Sequence, residues 1–406
     1  MTIRASDYPD LRLTRLQKLI ETFQTPPSLY LMTLFGQDNW ESDNIKWETQ
    51  VGNRGLTPFV APGSPSPTTA PQGVGQGGAF AAFWKEKMFF GEEFLNNLRE
   101  PGTDAKYHAT QKRLAKDLQS LKNRCERRKE WMFAKMLAGA SFTYLQQNGL
   151  KYTIDYDVPS DQLVTLGATR KWNTGEACNI VEDIFDANLD TQNANGEKLS
   201  KALLTTEVLK YMITDATIQT LLQKSSFGDG DLFVRPTQVL SSLLGIDLVV
   251  YDQSYQVKAW LTAAVTASST TTVYVDNPTD FEVGDTLYFY DVSAATKEGE
   301  TISSIDVNAG TITVSTAPST SYKSQEDYVY VTKKFIPTTK FIMFTPTVEG
   351  QQIAEFANAP FDLDRSYGLK VDRNEQWDPD GIAIRVQNKG IPVLYQPDGL
   401  YVYTVA

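Results

Sequence analysis

The stretch DAKYHATQKRLAKDLQSLKNRCERRKEWMFAKMLAGASFTYL, residues 104–145, contains no proline and no glycine before Gly139. Most of its residues favour helices, and Thr103 or Asp104 is a suitable N-cap. The pattern predicts one helix over residues 104–145, roughly 60 Å long. Apolar side chains recur three and four positions apart and form a single stripe along a charged rod: Leu114, Leu118, Leu121 and Cys125.

The character of this helix changes along its length. Residues 107–130 are highly charged, whereas WMFAKML, residues 131–137, is apolar nearly all round and is typical of a buried helix end. The stripe lasts barely two heptads, which disfavours a plain coiled coil. A basic turn lies between the two halves: Arg124, Arg127, Arg128 and Lys129.

The composition limits the class of protein. With 406 residues, 41% hydrophobic and 21% charged, the chain is globular and long enough for two or three domains. It has no apolar run long enough to span a bilayer and no signal-peptide core, so we expect it to stay in the compartment where it is made. Its net charge of -11 argues against a dedicated nucleic-acid binder, though not against a surface that merely encloses nucleic acid.

Few residues are available for catalysis or metal binding. His108 is the only histidine, so a Ser–His–Asp or Cys–His site would depend on it, and no motif surrounds it. The two cysteines, Cys125 and Cys178, are expected to be reduced thiols, and the common zinc sites need more His or Cys than the chain has. Pairs of carboxylates remain possible, but nothing singles one out.

Three short motifs have plainer interpretations than a site. Gly73, Gly75 and Gly78 match G-x-G-x-x-G, but a Pro/Thr-rich stretch precedes them where a strand is required, so we interpret them as a flexible loop. FGDGDLF, residues 227–233, lacks the further ligands of a calcium loop, and DPDG, residues 378–381, is typical of a turn entering a hairpin. The sequence therefore predicts no catalytic, cofactor or metal site.

The region before the long helix is predicted to be an arm followed by an extended loop. Residues 1–45 contain a short amphipathic helix near residues 11–23, then PPSLYLMTLF, an apolar segment that must bury against the body or another subunit. IKWETQV (45–51) alternates like a strand, and AFAAFWKEKMFF (79–90) is expected to return beside it. The Pro/Gly-rich connection between them predicts a two-stranded loop that reaches away from the body.

The region after the long helix predicts a small α/β domain with an insertion. Helices and strands alternate over residues 168–262; one helix is expected to turn Ala177, Val181, Ile184, Phe185 and Leu189 inward after a capping box at Asn173 and Glu176. Residues 263–335 hold only short alternating strands and predict an inserted all-β barrel or sandwich. The host strand resumes at FIPTTKFIMF, and the C-terminus predicts three strands with turns at residues 388–390 and 396–399.

This order of elements resembles the HK97-like fold of tailed-phage major capsid proteins, specifically the lambda-type family. PPSLYLMTLFGQDNWESDNIKWETQVGNRGLTPFVAPGSP resembles the family's arm running into its extended loop, and RRKEWMFAKMLAGASFTY resembles the end of its spine helix. DPDGIAIRVQNKGIPVLYQPDGLYVYTVA resembles its closing strands. The likeness covers most of the chain apart from residues 263–335.

The resemblance implies an α+β chain divided as follows: N-terminal arm 1–45; extended loop (E-loop) 46–91; peripheral domain 92–167 with spine helix 104–145; axial domain 168–262 and 336–365; inserted β domain 263–335; closing strands of the peripheral domain 366–406. It further implies a virion protein that is not an enzyme and uses no cofactor. Copies would form pentamers and hexamers that tile an icosahedral head around double-stranded DNA, built in the host bacterial cytoplasm.

The same resemblance implies partners and assembly residues. Because the chain starts directly at the arm, a separate scaffolding protein is expected, together with a portal and a possible decoration protein, and no membrane. Intersubunit pairing with acidic loops is the first expectation for the basic turn, and contact with packaged DNA is the second. The residues expected to take part in assembly are Trp47, Arg54, Pro58, Phe59, Arg124, Arg127, Arg128 and Lys129.

Rival functions remain open at this point. A portal or tail subunit is the main alternative, but neither explains a Pro/Gly-rich loop directly before a long helix. A carbohydrate-binding surface protein could use the β insertion, although the sequence shows no export signal. The insertion itself is expected to project outward, where it either stabilises neighbouring capsomers, displays a surface for host or glycan contact, or has no separate role.

Overall fold

The helices and strands come from a computed structural model that describes residues 11–50, 56–66, 68, 74–99, 104–145, 150–174, 178–224, 231–348, 350–377 and 380–406. Within these ranges the helices are α1 (Leu13–Thr22), α2 (Leu31–Leu34), α3 (Glu92–Arg99), α4 (Asp104–Gly139), α5 (Ile180–Asn195), α6 (Thr206–Thr214), α7 (Ala216–Gln223), α8 (Asp231–Val234) and α9 (Pro236–Leu244). None of these helices combines the length and apolarity needed to cross a bilayer.

The strands of the same ranges run from the arm to the C-terminus. They are β1 (Gly36–Asn39), β2 (Asn44–Gln50), β3 (Val74–Phe80), β4 (Ala82–Gly91), β5 (Ser141–Leu145), β6 (Lys151–Asp155), β7 (Leu163–Thr165), β8 (Lys201–Leu204), β9 (Asp247–Val250), β10 (Ser254–Trp260), β11 (Thr272–Tyr274), β12 (Thr286–Asp291), β13 (Thr296–Asp306), β14 (Thr311–Val314), β15 (Tyr328–Lys334), β16 (Lys340–Phe344), β17 (Thr347–Val348), β18 (Gln351–Gln352), β19 (Ala354–Asn358), β20 (Lys370–Trp377), β21 (Asp380–Leu394) and β22 (Leu400–Thr404).

The long helix is confirmed, but it ends earlier than predicted. Helix α4 has 36 residues and is therefore roughly 54 Å long. Ala140 takes a left-handed conformation with φ of 55°, which stops the helix. Residues 141–145 then form β5, which pairs with β6 as a hairpin. The predicted end at residue 145 was wrong because SFTYL is rich in β-branched and aromatic residues, which fit a strand better.

The apolar stripe of α4 packs on a mixed sheet whose longest strand is β21. That strand pairs with β4, β19 and β20, and β1 adds to the edge in parallel with β19. Helix α1 joins the same core through Leu16 and Ile20. The other members of this cluster include Leu114, Leu118, Leu121, Cys125, Ile382, Ile384 and Val386. The stripe found in the sequence is therefore the core face of the helix.

Strand β21 runs for 15 residues through Asn388, Lys389 and Gly390, where a turn was predicted. A Cβ on Gly390 would lie 2.5 Å from the carbonyl oxygen of Ala357 and 2.6 Å from the ring of Phe356. The glycine thus permits a close approach of two strands and does not mark a turn. The closing segment has two strands in place of three, separated by the 3-10 turn Pro397–Gly399.

The α/β region is built on the sheet β7-β22-β16-β8-β9. The last strand, β22, pairs with β16 and β7 here, although the sequence placed it with the closing strands of the peripheral sheet. Helix α5 begins at the N-cap Asn179, whose side chain accepts from the backbone N–H of Glu182. The predicted capping box and Ala177 involve residues outside the described ranges.

The predicted inner face of α5 is only partly right. Ile184 is buried, but Phe185 and Leu189 are 61% and 57% exposed. Ile180, Ile184 and Ala187 form the observed inner face. Helix α9 has Pro236 at its first position and ends at Gly245, which has a φ of 70°.

A second compact unit contains the β5–β6 hairpin together with residues 251–338. We call residues 251–338 the β-module. Its six strands run in the order β10-β15-β12-β13-β14-β11. The two outer strands also meet, because Leu261 bridges Val275 and the N–H of Asp276 donates to the oxygen of Trp260. Since β10 starts at Ser254 and pairs with β15, the module begins before the predicted residue 263.

The two cysteines occupy different environments. Cys125 is 3% exposed within the α4 core, and burial raises the pKa of its thiol to about 12. Cys178 is half-buried, and burial together with the hydrogen bond to Asp215 raises its pKa more modestly.

We expect alkylation at pH 8 to modify Cys178 at least about tenfold faster than Cys125, because the thiolate is the reactive form. Peptide mass spectrometry during an iodoacetamide time course measures both rates. Equal alkylation rates of Cys125 and Cys178 in the folded protein would contradict the burial of Cys125.

The burial of Cys125 also makes stability depend on pH. A group whose pKa is raised in the folded state stabilises the fold at pH values below its unfolded pKa. The contribution of Cys125 to stability is therefore lost as pH rises from about 9 towards about 12.

Candidate assembly surfaces

Helix α4 holds the N-terminal arm through two buried charges. The carboxylate of Glu130, which is 0% exposed, accepts from the backbone N–H of Leu31 at 2.8 Å and of Met32 at 3.0 Å. These are the first N–H groups of α2, where a negative charge is favourable. The ammonium of Lys122 donates to the carbonyls of Ile20 and Phe23 at the end of α1, where a positive charge is favourable.

The apolar segment of the arm buries against its own chain. Leu31 is 0% exposed and Phe35 is 5% exposed. The ring of Phe35 stacks on Phe133 of α4, with centroids 5.6 Å apart. Of the two possibilities left open by the sequence, the body of the same chain accounts for these residues.

The basic turn divides into inward and outward residues. Lys129 is 4% exposed, lies 3.8 Å from Glu126 and 5.1 Å from the ring centroid of Phe356, and has a pKa that burial lowers. Arg124 forms a 2.7 Å ion pair with Glu86. Arg127 is exposed, and the guanidinium of Arg128 lies 5.3 Å from the ring of Trp131.

These positions correct part of the predicted site. Lys129 cannot reach a neighbouring subunit or DNA because it is enclosed by its own chain. The Arg124–Glu86 pair is half-exposed on both sides, so it contributes little to stability. Arg124 and Arg127, and Arg128 in part, are the members of the basic turn that face outward, and Arg124 is paired with Glu86 of its own chain.

The extended loop begins as a two-stranded ribbon of β2 and β3. The strands pair from Asn44 with Phe80 to Gln50 with Val74. The returning strand is therefore the glycine-rich segment, whereas residues 82–91 form β4 and pair with β21. Gly75 and Gly78 belong to a strand and not to the flexible loop expected from the sequence; Gly73 lies outside the described residues.

Trp47 explains the glycines of the ribbon. Its side chain is 2% exposed and lies 5.9 Å from the ring of Tyr156, so it packs within its own chain and is not an outward contact as predicted. Trp47 pairs with Gly77, and a Cβ on Gly77 would lie 2.4 Å from the indole. The absent side chain leaves room for the indole ring.

Beyond the ribbon, residues 56–66 form an exposed segment. Leu56 and Phe59 are 96% and 107% exposed, and Val60 is 54% exposed. Pro58 lies among them and is also exposed. Arg54, the remaining predicted assembly residue, is outside the described residues. Three large apolar side chains along a few residues make a patch, which is typical of an interaction site.

Comparison with known proteins shows which protein family the chain belongs to. The family model described as phage major capsid protein E matches residues 12–277. The chain belongs to this family. The match includes most of the arm, the ribbon and the long helix, but not the closing strands, on which the resemblance was also based.

A solved structure supports the fold of this capsid protein, and a second one is similar at a lower TM-score. The putative capsid protein of an Escherichia coli CFT073 prophage is 13% identical, with 100% of both chains covered and a TM-score of 0.51. A phage-related protein from Bordetella bronchiseptica RB50 is 9% identical over 96% of this chain and 94% of that chain, with a TM-score of 0.48. No curated protein matches.

The family establishes the general role of the chain. It is a major capsid protein with an HK97-like fold, a structural component of the phage virion and not an enzyme, as predicted. In the described part of this capsid protein no group of three or more His, Cys, Asp or Glu side chains is arranged to hold a metal ion. The capsid family also supports self-association of the chain.

Glu130 and Lys122 were missed by sequence reasoning about this capsid protein. Both sit on the charged half of α4 and read as solvated residues, because charged side chains are rarely buried. The available signal was local: Glu130 directly precedes the apolar WMFAKML, and Lys122 follows Leu121 of the stripe. Neither position identifies its partner in the arm, about 100 residues away.

Gly77→Ala is expected to destabilise the ribbon of this capsid protein by about 2 kcal/mol or more, because the new Cβ would overlap the buried indole of Trp47. Gly78→Ala on the same strand is the control, since the nearest atom would lie at an ordinary 3.6 Å. Thermal unfolding followed by tryptophan fluorescence compares the two. Equal melting temperatures would contradict this packing.

Proposed function

We propose that copies of this chain assemble into pentamers and hexamers that tile an icosahedral head around double-stranded DNA. The observation that carries the proposal is the exposed apolar segment at residues 56–66. A neighbouring copy is the partner most abundantly present for a major capsid protein. If that neighbouring copy covers Leu56, Phe59 and Val60, the apolar surface of these three side chains is removed from water.

In this proposal each region takes the role that the family resemblance implies. Residues 1–45 act as the arm, residues 46–91 as the E-loop and α4 as the spine helix of the peripheral domain. The sheet β7-β22-β16-β8-β9 with helices α5 to α9 acts as the axial domain, and therefore includes the last strand. The β-module, residues 251–338, is the inserted domain.

The partners in the proposal are a separate scaffolding protein, a portal and possibly a decoration protein, with assembly in the host bacterial cytoplasm. DNA is enclosed without sequence-specific binding. The net charge of -11 supports this, because a strongly acidic chain gains no long-range attraction to DNA. Arg124, Arg127 and Arg128 are the members of the basic turn left to contact a neighbour or the packaged DNA.

Negative-stain microscopy of the purified chain, alone and with its scaffold, tests the proposal. Closed shells or rings of five and six subunits are expected. Rings of twelve would favour a portal, stacked tubes a tail, and a monomer under every condition would overturn the assembly proposal.

A role for the β-module in shell stability is tested by deletion. Because β10 pairs with β15, the deletion has to remove residues 251–338; removing residues 263–335 would leave β10 without its partner strand. Shells with unchanged yield and melting temperature would exclude a stabilising role for the module.

A further inference from the structure

The outer face of three neighbouring strands in the β-module, β10, β15 and β12, carries five aromatic rings in two rows. In one row Trp260 pairs with Tyr328, and Tyr328 with Tyr290. In the next, Tyr330 pairs with Tyr288. The alternate residues point inward and are 0–1% exposed: Ala259, Leu287, Phe289 and Val329. We call the five outward residues the aromatic platform.

The rings of the aromatic platform touch and form a continuous surface. Tyr290 and Tyr328 stack with centroids 4.9 Å apart, and Tyr288 and Tyr330 stack at 5.4 Å. Trp260, which is 43% exposed, lies 5.4 Å from Tyr328 at the end of its row. All five stand on one face of a sheet, so the surface is broad and suits an extended ligand.

Gly299 makes room for the Tyr288 ring of the platform. It lies opposite Tyr288 in the middle of β13, where glycine weakens a strand. A Cβ there would lie 2.9 Å from the Tyr288 ring. The glycine therefore gives up strand stability and lets the ring extend across the neighbouring strand.

The charges around the platform limit the classes of ligand that it can bind. The outward positions of β10, β12 and β15 include Lys258 and Lys334, and those of β13 include Lys297 beside the rings and Asp306 at the far end of the strand. Lys258 lies over Tyr328 and Trp260, at 3.4 and 4.2 Å from their centroids, and Lys334 pairs with Asp252. The whole module, however, holds eleven acidic residues against five lysines and no arginine, a net charge of -6.

This distribution disfavours both kinds of highly charged ligand. A polyanion such as single-stranded DNA would stack on the rings but would be repelled by the module as a whole. A polycation would meet lysines on the face itself. A sugar chain of low charge avoids both electrostatic penalties. It can also bind the platform, because the apolar C–H faces of sugar rings lie against the electron-rich faces of aromatic rings.

We propose that the aromatic platform, formed by Trp260, Tyr288, Tyr290, Tyr328 and Tyr330, binds a polysaccharide of low charge. The sugar rings lie on the aromatic faces that no stacked neighbour covers, the tyrosine hydroxyls at the rim hydrogen-bond to sugar hydroxyls, and Lys258 swings aside or donates to the ligand. This inference does not depend on the shell geometry proposed above.

The test measures binding of the full chain to immobilised hydroxyethylcellulose, dextran and galactomannan, with single-stranded DNA and alginate as charged comparisons. We expect binding to at least one of the three neutral polymers and weaker or no binding to the charged ones. Trp260→Ala and Tyr290→Ala are each expected to lower the affinity by about tenfold. Tyr274→Ala is the control, since Tyr274 is 49% exposed on β11, outside the platform.

Gly299→Ala provides a variant that keeps every ring. Its Cβ displaces Tyr288, so a several-fold loss of affinity is expected with the aromatic residues intact. Circular dichroism confirms that each variant is folded. The proposal is overturned if the wild-type chain binds none of the neutral polymers, if it binds DNA alone, or if Tyr274→Ala weakens binding as much as the platform variants.

Discussion

Replacing Leu56 and Phe59 by serine is expected to abolish shell assembly while leaving the isolated chain as stable as the wild type. Both side chains are almost fully exposed in the single chain, so their loss removes no internal packing. If a neighbouring copy covers them, each contributes about 1.5–3 kcal/mol to every contact between copies. Losing both lowers the association constant of each contact by about a hundredfold or more.

Sedimentation velocity measures the assembled fraction at equal concentrations of variant and wild type. Thr57→Ser, in the same segment, is the matched control and is expected to assemble normally. The free energy of unfolding is expected to change by less than about 0.5 kcal/mol in either case. Wild-type shell yield from the double serine variant would show that this segment is not the contact between copies.

Glu130→Ala is expected to release the arm from α4. The substitution leaves two N–H groups of α2 without their acceptor in a buried position, which costs about 3 kcal/mol or more. Limited proteolysis is the direct measurement, because cleavage within residues 24–35 is expected to accelerate about tenfold or more while α4 stays protected.

Glu130→Gln is the matched control. Its side chain keeps one carbonyl oxygen as an acceptor in nearly the same volume, so it is expected to fall between wild type and alanine. An alanine variant whose arm is cleaved at the wild-type rate would show that the apolar contacts of Leu31 and Phe35 hold the arm without the cap.

The elements that could be predicted from sequence are those with a local physical signal. Helix α4 has an unbroken run of strong helix formers, and α9 has proline at its start and glycine at its end. The β-module shows period-two alternation between turn residues. The family could be predicted from the sequence, because the resemblance to a capsid family rests on the order of such elements.

What failed was every inference about glycine that depended on a distant partner. Gly77 and Gly390 were assigned to a loop and a turn, yet each lies in a strand beside a bulky ring, Trp47 in one case and Phe356 in the other. In a single sequence a glycine that frees a turn and a glycine that makes room for a ring look the same.

The exposure of the candidate assembly residues depends on distant segments in a similar way. Lys129 and Trp47 looked available, but which face of an element is covered depends on segments far away in the chain. Pro58 and Phe59 are exposed because their neighbourhood has too few apolar residues to cover them locally.

The chain enters and leaves the β-module at two neighbouring points of the sheet β7-β22-β16-β8-β9. Strand β9 ends at Val250 and β16 begins at Lys340, and both strands flank β8. Val250 pairs with Leu204, and β16 reaches the same end of β8, so the two attachment points are about 10 Å apart across two strand spacings. A loop of a few residues could bridge that gap as well as an entire domain does. The sheet therefore has an attachment point at which a domain can be gained, lost or exchanged in evolution, and at which a foreign domain can be grafted.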